Sequence, residues 1–402
     1  MNATARTYAP PFAPGLVRRA LLGTLLALGV TAAMATPATA TASTAYTFTK
    51  MADSVQHGFG PFSLGCSSIN ARGDIAFRGG RAAPDGFNTI DGIYRVNAAD
   101  GSITTIAETG KRFETLGRNP SMNDSGQVSF AARLGFDRKT GDALEAIIRS
   151  SGKKLTTIAR TKGDRYNFFG FDTSISDAGE VAFKAELDEE FGFEEGMFSG
   201  SGGGITTHYL ASTSQFDGND SRPSINDLGE IAFRESIDFD DGVFVTDGSG
   251  FTTISAPDPD RSVSDPTLND AGTAAFELSF FDGDQQVFSI VTGNGGELTT
   301  VADTRGDYGS FGFRPPSINE AGEVAFSASL DDFVTSGIFV GPDPVADRVI
   351  ATGDTLDGAT VTGITFCEEG LSDSGALSLT AFFEDPQTFE LRSAVFRATP
   401  AG

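Results

Sequence analysis

Tryptophan is absent from this 402-residue chain, and histidine and cysteine occur twice each. With so little histidine, catalysis by His has almost no material, and no Cys-His cluster, G-x-S-x-G, H-E-x-x-H or P-loop pattern is present. Positive charge is scarce too. The chain has 29 Lys+Arg against 54 Asp+Glu, a net of −25. Such a surface repels nucleic acid and anionic lipid and favours solubility and association with cations. The acids are spread along the chain, which reads as a solvated surface and not as an acidic tail. No stretch sustains a helical period with caps. Apolar filling falls to one aromatic type, phenylalanine, with 35 copies.

Only one long apolar run occurs, ALLGTLLALGVTAA at 20–33. It is shorter than the roughly 20 residues a membrane span needs. Arg6, Arg18 and Arg19 precede it, and the small residues MATPATATAS (34–43) follow with several A-x-A-like cleavage sites, the order of a secretory signal. Residues 1–42 are therefore expected to be a cleaved signal peptide, and 43–402 a single secreted or periplasmic domain with no membrane span. Removing that segment takes three arginines and no acid, leaving 26 basic against 54 acidic side chains, a net of −28.

Self-similarity dominates the rest. PSINDLGEIAFRESI (223–237) returns as PSINEAGEVAFSASL (316–330). The anchor of this phrase is Asn70, Asn123, Ser176, Asn226, Asn269, Asn319 and Ser372, spaced 53, 53, 50, 43, 50 and 53 residues apart. A glycine always follows three residues later: Gly73, Gly126, Gly179, Gly229, Gly272, Gly322 and Gly375. The N-D-x-G pattern suits a type I turn whose glycine takes a positive φ. After it, Val324, Phe326, Ala328 and Leu330 alternate with a period of two, as a strand does. A third strand (GVF, 242–244; GIF, 337–339) and a fourth (ITTIAETG, 103–110; LTTVADTR, 298–305) complete each unit.

Four antiparallel strands repeated seven times predict an all-β, seven-bladed β-propeller, the rival being an open β-solenoid. The chain ends favour the ring. The seventh unit stops one strand short, while AYTFTKMAD (45–53), before the first anchor, resembles a fourth strand. An N-terminal strand completing the C-terminal blade closes the circle.

Four copies keep the core N-x-x-G-x-x-A-F intact: NARGDIAF (70–77), NDLGEIAF (226–233), NDAGTAAF (269–276) and NEAGEVAF (319–326). SDAGEVAF and NDSGQVSF depart by one residue each, and SDSGALSL has lost both Asn and Phe. The chain thus resembles the bacterial exported NxxGxxAF tandem-repeat proteins. That resemblance implies propeller-like repeats and export, and no established activity.

The anchor turn invites a calcium reading, but one or two carboxylates per copy fall far short of six to eight oxygens. An Asn closing its own turn explains the same residues, so neither a metal nor a cofactor is expected. The loops that lead from a fourth strand to the next first strand are better candidates for ligand binding. They carry His57, Arg118, Asp164, Tyr166, Asp172, Arg222, Asp307, Tyr308 and Arg314. Convergent arginines and aromatics on one face could hold an acidic or sugar-like ligand; packing of Phe between blades, with pairing of Arg to the abundant acids, is the favoured reading of the same residues. His208 lies within the strand ITTHYL (205–210), where sister blades carry an apolar residue, and is expected to be packed or peripheral.

Two function classes stay open. One is an exported binding or scaffolding module, a monomer, for a protein or glycan. The other is an extracytoplasmic hydrolase or lyase using carboxylates such as Asp164, Asp172 and Asp307. Catalysis would need a compact pair of groups with separated pKa values. A pocket of clustered carboxylates on the loop face favours the enzyme; a flat aromatic face favours binding.

Two placements follow from the register. Ser68, Ser121, Ser174, Ser224, Thr267 and Ser317 share one position on the first strand and should surround the central channel, where seven strands converge. Cys66 and Cys367, 301 residues apart, both fall at the start of a first strand, in blades one and seven. Those blades are neighbours in a closed ring, so a Cys66–Cys367 disulfide is expected in an oxidising compartment.

Overall fold

The computed structural model describes residues 46–401 apart from 85–88, 189, 191, 193, 219–220 and 385–388. The expected signal segment lies outside the described residues. The rest is a seven-bladed propeller of antiparallel sheets. In blade one the four strands are Ser67–Ile69, Ile75–Ala82, Thr89–Val96 and Ile103–Glu108. Later blades repeat this order up to blade seven, whose fourth strand is Tyr46–Asp53. It pairs with Leu391–Pro400 in a register running from Tyr46↔Pro400 to Asp53↔Ala394. The ring is closed.

The period-two pattern of the second strand has a packing cause. Phe77, Phe130, Phe183, Phe233, Phe276 and Phe326 of the A-F step are all buried, with Leu379 in the same place in blade seven. Each packs between neighbouring blades, so the core is a set of layers and not one centre. The first strand departs from the simple expectation. It is split in blades two, five and six: Thr115–Leu116 and Ser121–Met122 in blade two, Arg261–Val263 and Thr267–Leu268 in blade five, Tyr308–Phe311 and Ser317–Ile318 in blade six. Pro120, Pro266 and Pro316 stand at or beside these breaks, and Pro223 stands just before the short first strand of blade four. Proline lacks the N–H that a continuous ladder requires.

All seven repeat glycines hold φ between 69° and 81°, the left-handed region that only glycine enters freely. The anchor Asn does more than close this turn. Asn269 Oδ1 accepts the Thr273 N–H at 3.0 Å, while its Nδ2 donates to the Asn319 carbonyl at 3.1 Å. Asn70, Asn123, Asn226 and Asn319 likewise donate to the next blade's anchor carbonyl. The residue after the anchor adds a second circle. The backbone N–H groups of Ala71, Asp124, Asp177, Asp227, Asp270 and Glu320 donate in turn to the carboxylates of Asp124, Asp177, Asp227, Asp270, Glu320 and Asp373. Ala71 carries no carboxylate, so this circle is open at blade one.

The open point coincides with the seam. There Cys66 and Cys367 form a disulfide with Cα atoms 5.7 Å apart. Ser67 Oγ donates to Ser378 Oγ at 3.1 Å, and the Ile69 N–H donates to the Glu369 carbonyl at 3.0 Å.

Candidate functional site

Strand order fixes two unlike faces. Every anchor turn joins first to second strand and lies at one end of the channel. The second-to-third turns and the loops entering each first strand lie at the other end, the loop face.

Near the turn end, Ser174, Ser224, Thr267 and Ser317 line a narrow channel cavity of about 180 Å³, together with Glu368 and Glu369. Ser121 Oγ and Ser174 Oγ donate to Glu369 at 2.7 and 3.3 Å. Burial pushes the Glu369 carboxyl up to about 8, against the opposing effect of these hydroxyls and the Met122 N–H. Glu369 stands where four sister blades carry proline.

Above it, some of the expected loop residues converge. Arg222 reaches Asp172 at 2.9 Å and Glu368 at 2.7 Å. Asn119 donates to Asp172 at 2.6 Å, and Arg314 donates to Asn119 at 3.2 Å. Five side chains from blades two, three, four, six and seven therefore link across the axis. Burial pushes the Glu368 carboxyl up, and the Arg222 guanidinium opposes it.

The other candidates lie apart from that network. Tyr166 and Tyr308 are buried in the cores of blades three and six, against Phe183 and Phe198 and against Phe326 and Phe339. Arg118 and Asp307 are exposed. Asp164 is an exposed acceptor for the Arg160 N–H at 3.1 Å. His57 Nδ1 accepts the Asp53 N–H at 3.1 Å within its own loop. His208 is half-buried, with Nε2 2.8 Å from the buried Ser199 Oγ.

Two features escaped the sequence reading. The first is a cavity of about 930 Å³ on the loop-face side of blades five to seven. Small residues open it: Ser310, Gly312, Ser327, Ser329, Ser336 and Gly337 of blade six. Its walls also carry Phe288, Phe311, Phe313, Phe366, Gln286, Arg314 and a single carboxyl, Glu277. Burial alone pushes Glu277 up to about 7. Among the described residues nothing pairs with this carboxyl. Aligning the repeats could have found it, because Glu277 lies eight residues after its anchor, where Arg78, Lys184 and Arg234 lie in other blades.

The second feature is a crown of phenylalanines on the second-to-third turns. Phe136, Phe239, Phe281, Phe333 and Phe389 stand exposed in blades two, four, five, six and seven, Phe239 at 93%. Three of them, Phe239, Phe333 and Phe389, hold φ of 73°, 53° and 58°. A bulky residue there is an outlier that the fold does not need, since Gly or Asn makes such turns with less strain. Exposed acids share these turns: Asp238, Asp282, Asp284, Asp331 and Asp332. The sequence signal was a Phe beside acids in every second-to-third loop. In blades one and three these are Phe87, Phe191 and Phe193, which lie outside the described residues.

Residues 69–215 and 246–402 match the Family of unknown function (DUF7453). The unmatched stretch holds the first three strands of blade four. No curated protein sequence matches the chain. Among solved structures, the β-propeller domain of the Trilobed protease from Pyrococcus furiosus is 8% identical with a TM-score of 0.52, covering 83% of this chain and 92% of that one. The Pyrococcus horikoshii acylaminoacyl peptidase is 11% identical (TM-score 0.49; 80% of this chain, 49% of that one). An oligogalacturonate lyase in complex with manganese is 13% identical (TM-score 0.49; 90% and 98%). At such identities the likeness is one of fold alone.

Proposed function

The chain belongs to the Family of unknown function (DUF7453), and we propose that it is an exported binding module that docks a polypeptide partner on its loop face. The exposed phenylalanine crown carries this reading. Apolar rings exposed at blade after blade mark an interaction surface, and three of them accept backbone strain to be there. The acids beside these phenylalanines in sequence select the partner by charge. Anionic lipid, nucleic acid and a second copy of this acidic chain are disfavoured. A basic segment with aromatic or aliphatic anchors complements both features. Export is supported by the signal-like residues 1–42, by a disulfide suited to an oxidising compartment, and by the resemblance to exported NxxGxxAF repeat proteins. A hydrolase or lyase has less support. Asp164 and Asp307 sit on exposed turns, Asp172 is neutralised by Arg222, and Glu277 has no second carboxyl in its cavity.

The test is selection of a random 12-residue phage-displayed peptide library on the immobilised protein. The variant Phe239→Ser/Phe281→Ser/Phe333→Ser/Phe389→Ser serves as counter-target, after its melting temperature confirms that it folds. Enriched peptides should be net basic, contain at least two large apolar residues, and fail to bind the variant. No enrichment, acidic winners, or equal binding to the variant would reject the crown as the docking surface.

A further inference from the structure

Comparison among the blades gives the large cavity a specific chemistry. In blade one, Arg78 projects from the second strand and pairs with Asp91 of the third at 2.8 Å. In blade four, Arg234 pairs with Asp241 in the same way at 2.9 Å. Strand register identifies the counterparts in blade five. Gly80 faces Asp91, Ser236 faces Asp241, and Ser279 faces Phe288. The cation position therefore holds Glu277 and the carboxylate position holds Phe288. Blade five has lost the protein's own cation and put a carboxyl in its place, beside an aromatic ring, facing open space.

Glu277 is half-buried at the cavity wall, and among the described residues its carboxyl has neither an ion pair nor a side-chain hydrogen bond, whereas carboxylates with reduced access to water are normally paired. Arg314 is the only cation among the cavity-lining residues, and its guanidinium donates to Asn119 across the channel. The volume, about 930 Å³, lies within the range of small-molecule sites. Phe288, Phe311, Phe313 and Phe366 line the same cavity. A carboxylate with aromatic rings is the combination that recognises an organic ammonium ion, through an ion pair and through the negative faces of the rings. Seven serine hydroxyls from blades five and six can serve polar substituents of the same ligand.

We propose that the cavity between blades five and seven binds a small organic ammonium compound, with Glu277 as its counter-ion and the phenylalanines as its cation-accepting walls. This site is separate from the crown and does not depend on it. The acidic surface concentrates cations around the molecule, and the unpaired Glu277 fixes one of them.

Calorimetric titration of the purified protein at pH 8 tests this with choline, glucosamine and spermidine as probes. Their neutral counterparts are 3,3-dimethyl-1-butanol, glucose and 1,8-octanediol. At least one ammonium probe should bind, with its counterpart weaker by about thirtyfold or more, the usual minimum effect of removing one partner of a buried charge pair. Glu277→Gln should lower the affinity by a similar factor while keeping the melting temperature, and the four-Phe crown variant should bind as the parent does. Repeating the titration at pH 7 in two buffers of different ionisation enthalpy should show proton release, because the bound cation draws the proton off Glu277. Failure of all three probes, equal binding of the neutral compounds, or unchanged binding by Glu277→Gln would overturn the assignment.

Discussion

Replacing both cysteines tests how far the ring depends on its covalent seam. Cys66 and Cys367 are separated by 301 residues, so their bond closes a loop spanning nearly the whole propeller. In the chain-entropy account, a loop of that size costs the unfolded chain about 19 cal/mol/K, or roughly 5–6 kcal/mol at 25 °C. Both side chains are buried and small, so Cys66→Ala/Cys367→Ala leaves little lost packing to add. Unfolding some 350 residues carries an entropy of about 0.7 kcal/mol/K. The double variant should therefore melt roughly 7 °C lower, in calorimetry at one scan rate. It should still fold, because Tyr46–Asp53 keeps its pairing with Leu391–Pro400. Reducing the parent protein should reproduce the loss. A variant within about 2 °C of the parent would refute the entropic reasoning.

Three further outcomes follow from the repeat and the channel. Asn269→Asp keeps the acceptor that closes the turn but replaces the Nδ2 donor facing the Asn319 carbonyl with an anion; urea unfolding should show a loss of about 1–3 kcal/mol. Gly322→Ala meets no atom within 4 Å, yet its φ is +81°, so its cost should be purely conformational, about 1–2 kcal/mol, measured the same way. Glu369 and Glu277 hold folded-state pKa values of about 8 and about 7 against an ordinary 4.5. Each binds its proton more tightly when folded, so its contribution is complete below pH 4.5 and is lost as pH rises toward 7 or 8. Stability should fall between about pH 4.5 and 8, and Glu369→Gln with Glu277→Gln should flatten that fall by a few kcal/mol; an unchanged slope would contradict the placement of both carboxyls.

How much of this was legible depended on whether the repeat expressed it. The anchors, the seven glycines and the buried Phe of the A-F step recur in register, so blade count, turn chemistry and core were readable. Cys66 and Cys367 were readable because ring closure makes blades one and seven neighbours. Features defined by departure from the repeat were not. Glu277 differs from Arg78 and Arg234 in charge sign, and its isolation depends on Phe288 lying across the hairpin and on small residues in blade six. Tyr166 and Tyr308 showed the opposite failure. They sit in loop-like sequence, yet their first strands begin there, and the rings turn inward to fill the blade. Arg222 and Arg314 converge at the axis only because seven inner strands meet there, a distance that no local pattern contains.

The pairing of Tyr46–Asp53 with Leu391–Pro400 also sets the timing of assembly. The first strand of the propeller to leave the ribosome finds its partner in the last one synthesised. Six blades can assemble in order from the segment between them, but the seventh must wait for the last propeller strand. Losing either Tyr46–Asp53 or Leu391–Pro400 therefore damages the same blade. A product cut short by about ten residues, the length of a long strand, would leave Phe48 and its neighbours with no strand to join, and Tyr46–Asp53 would become a free edge available to another chain.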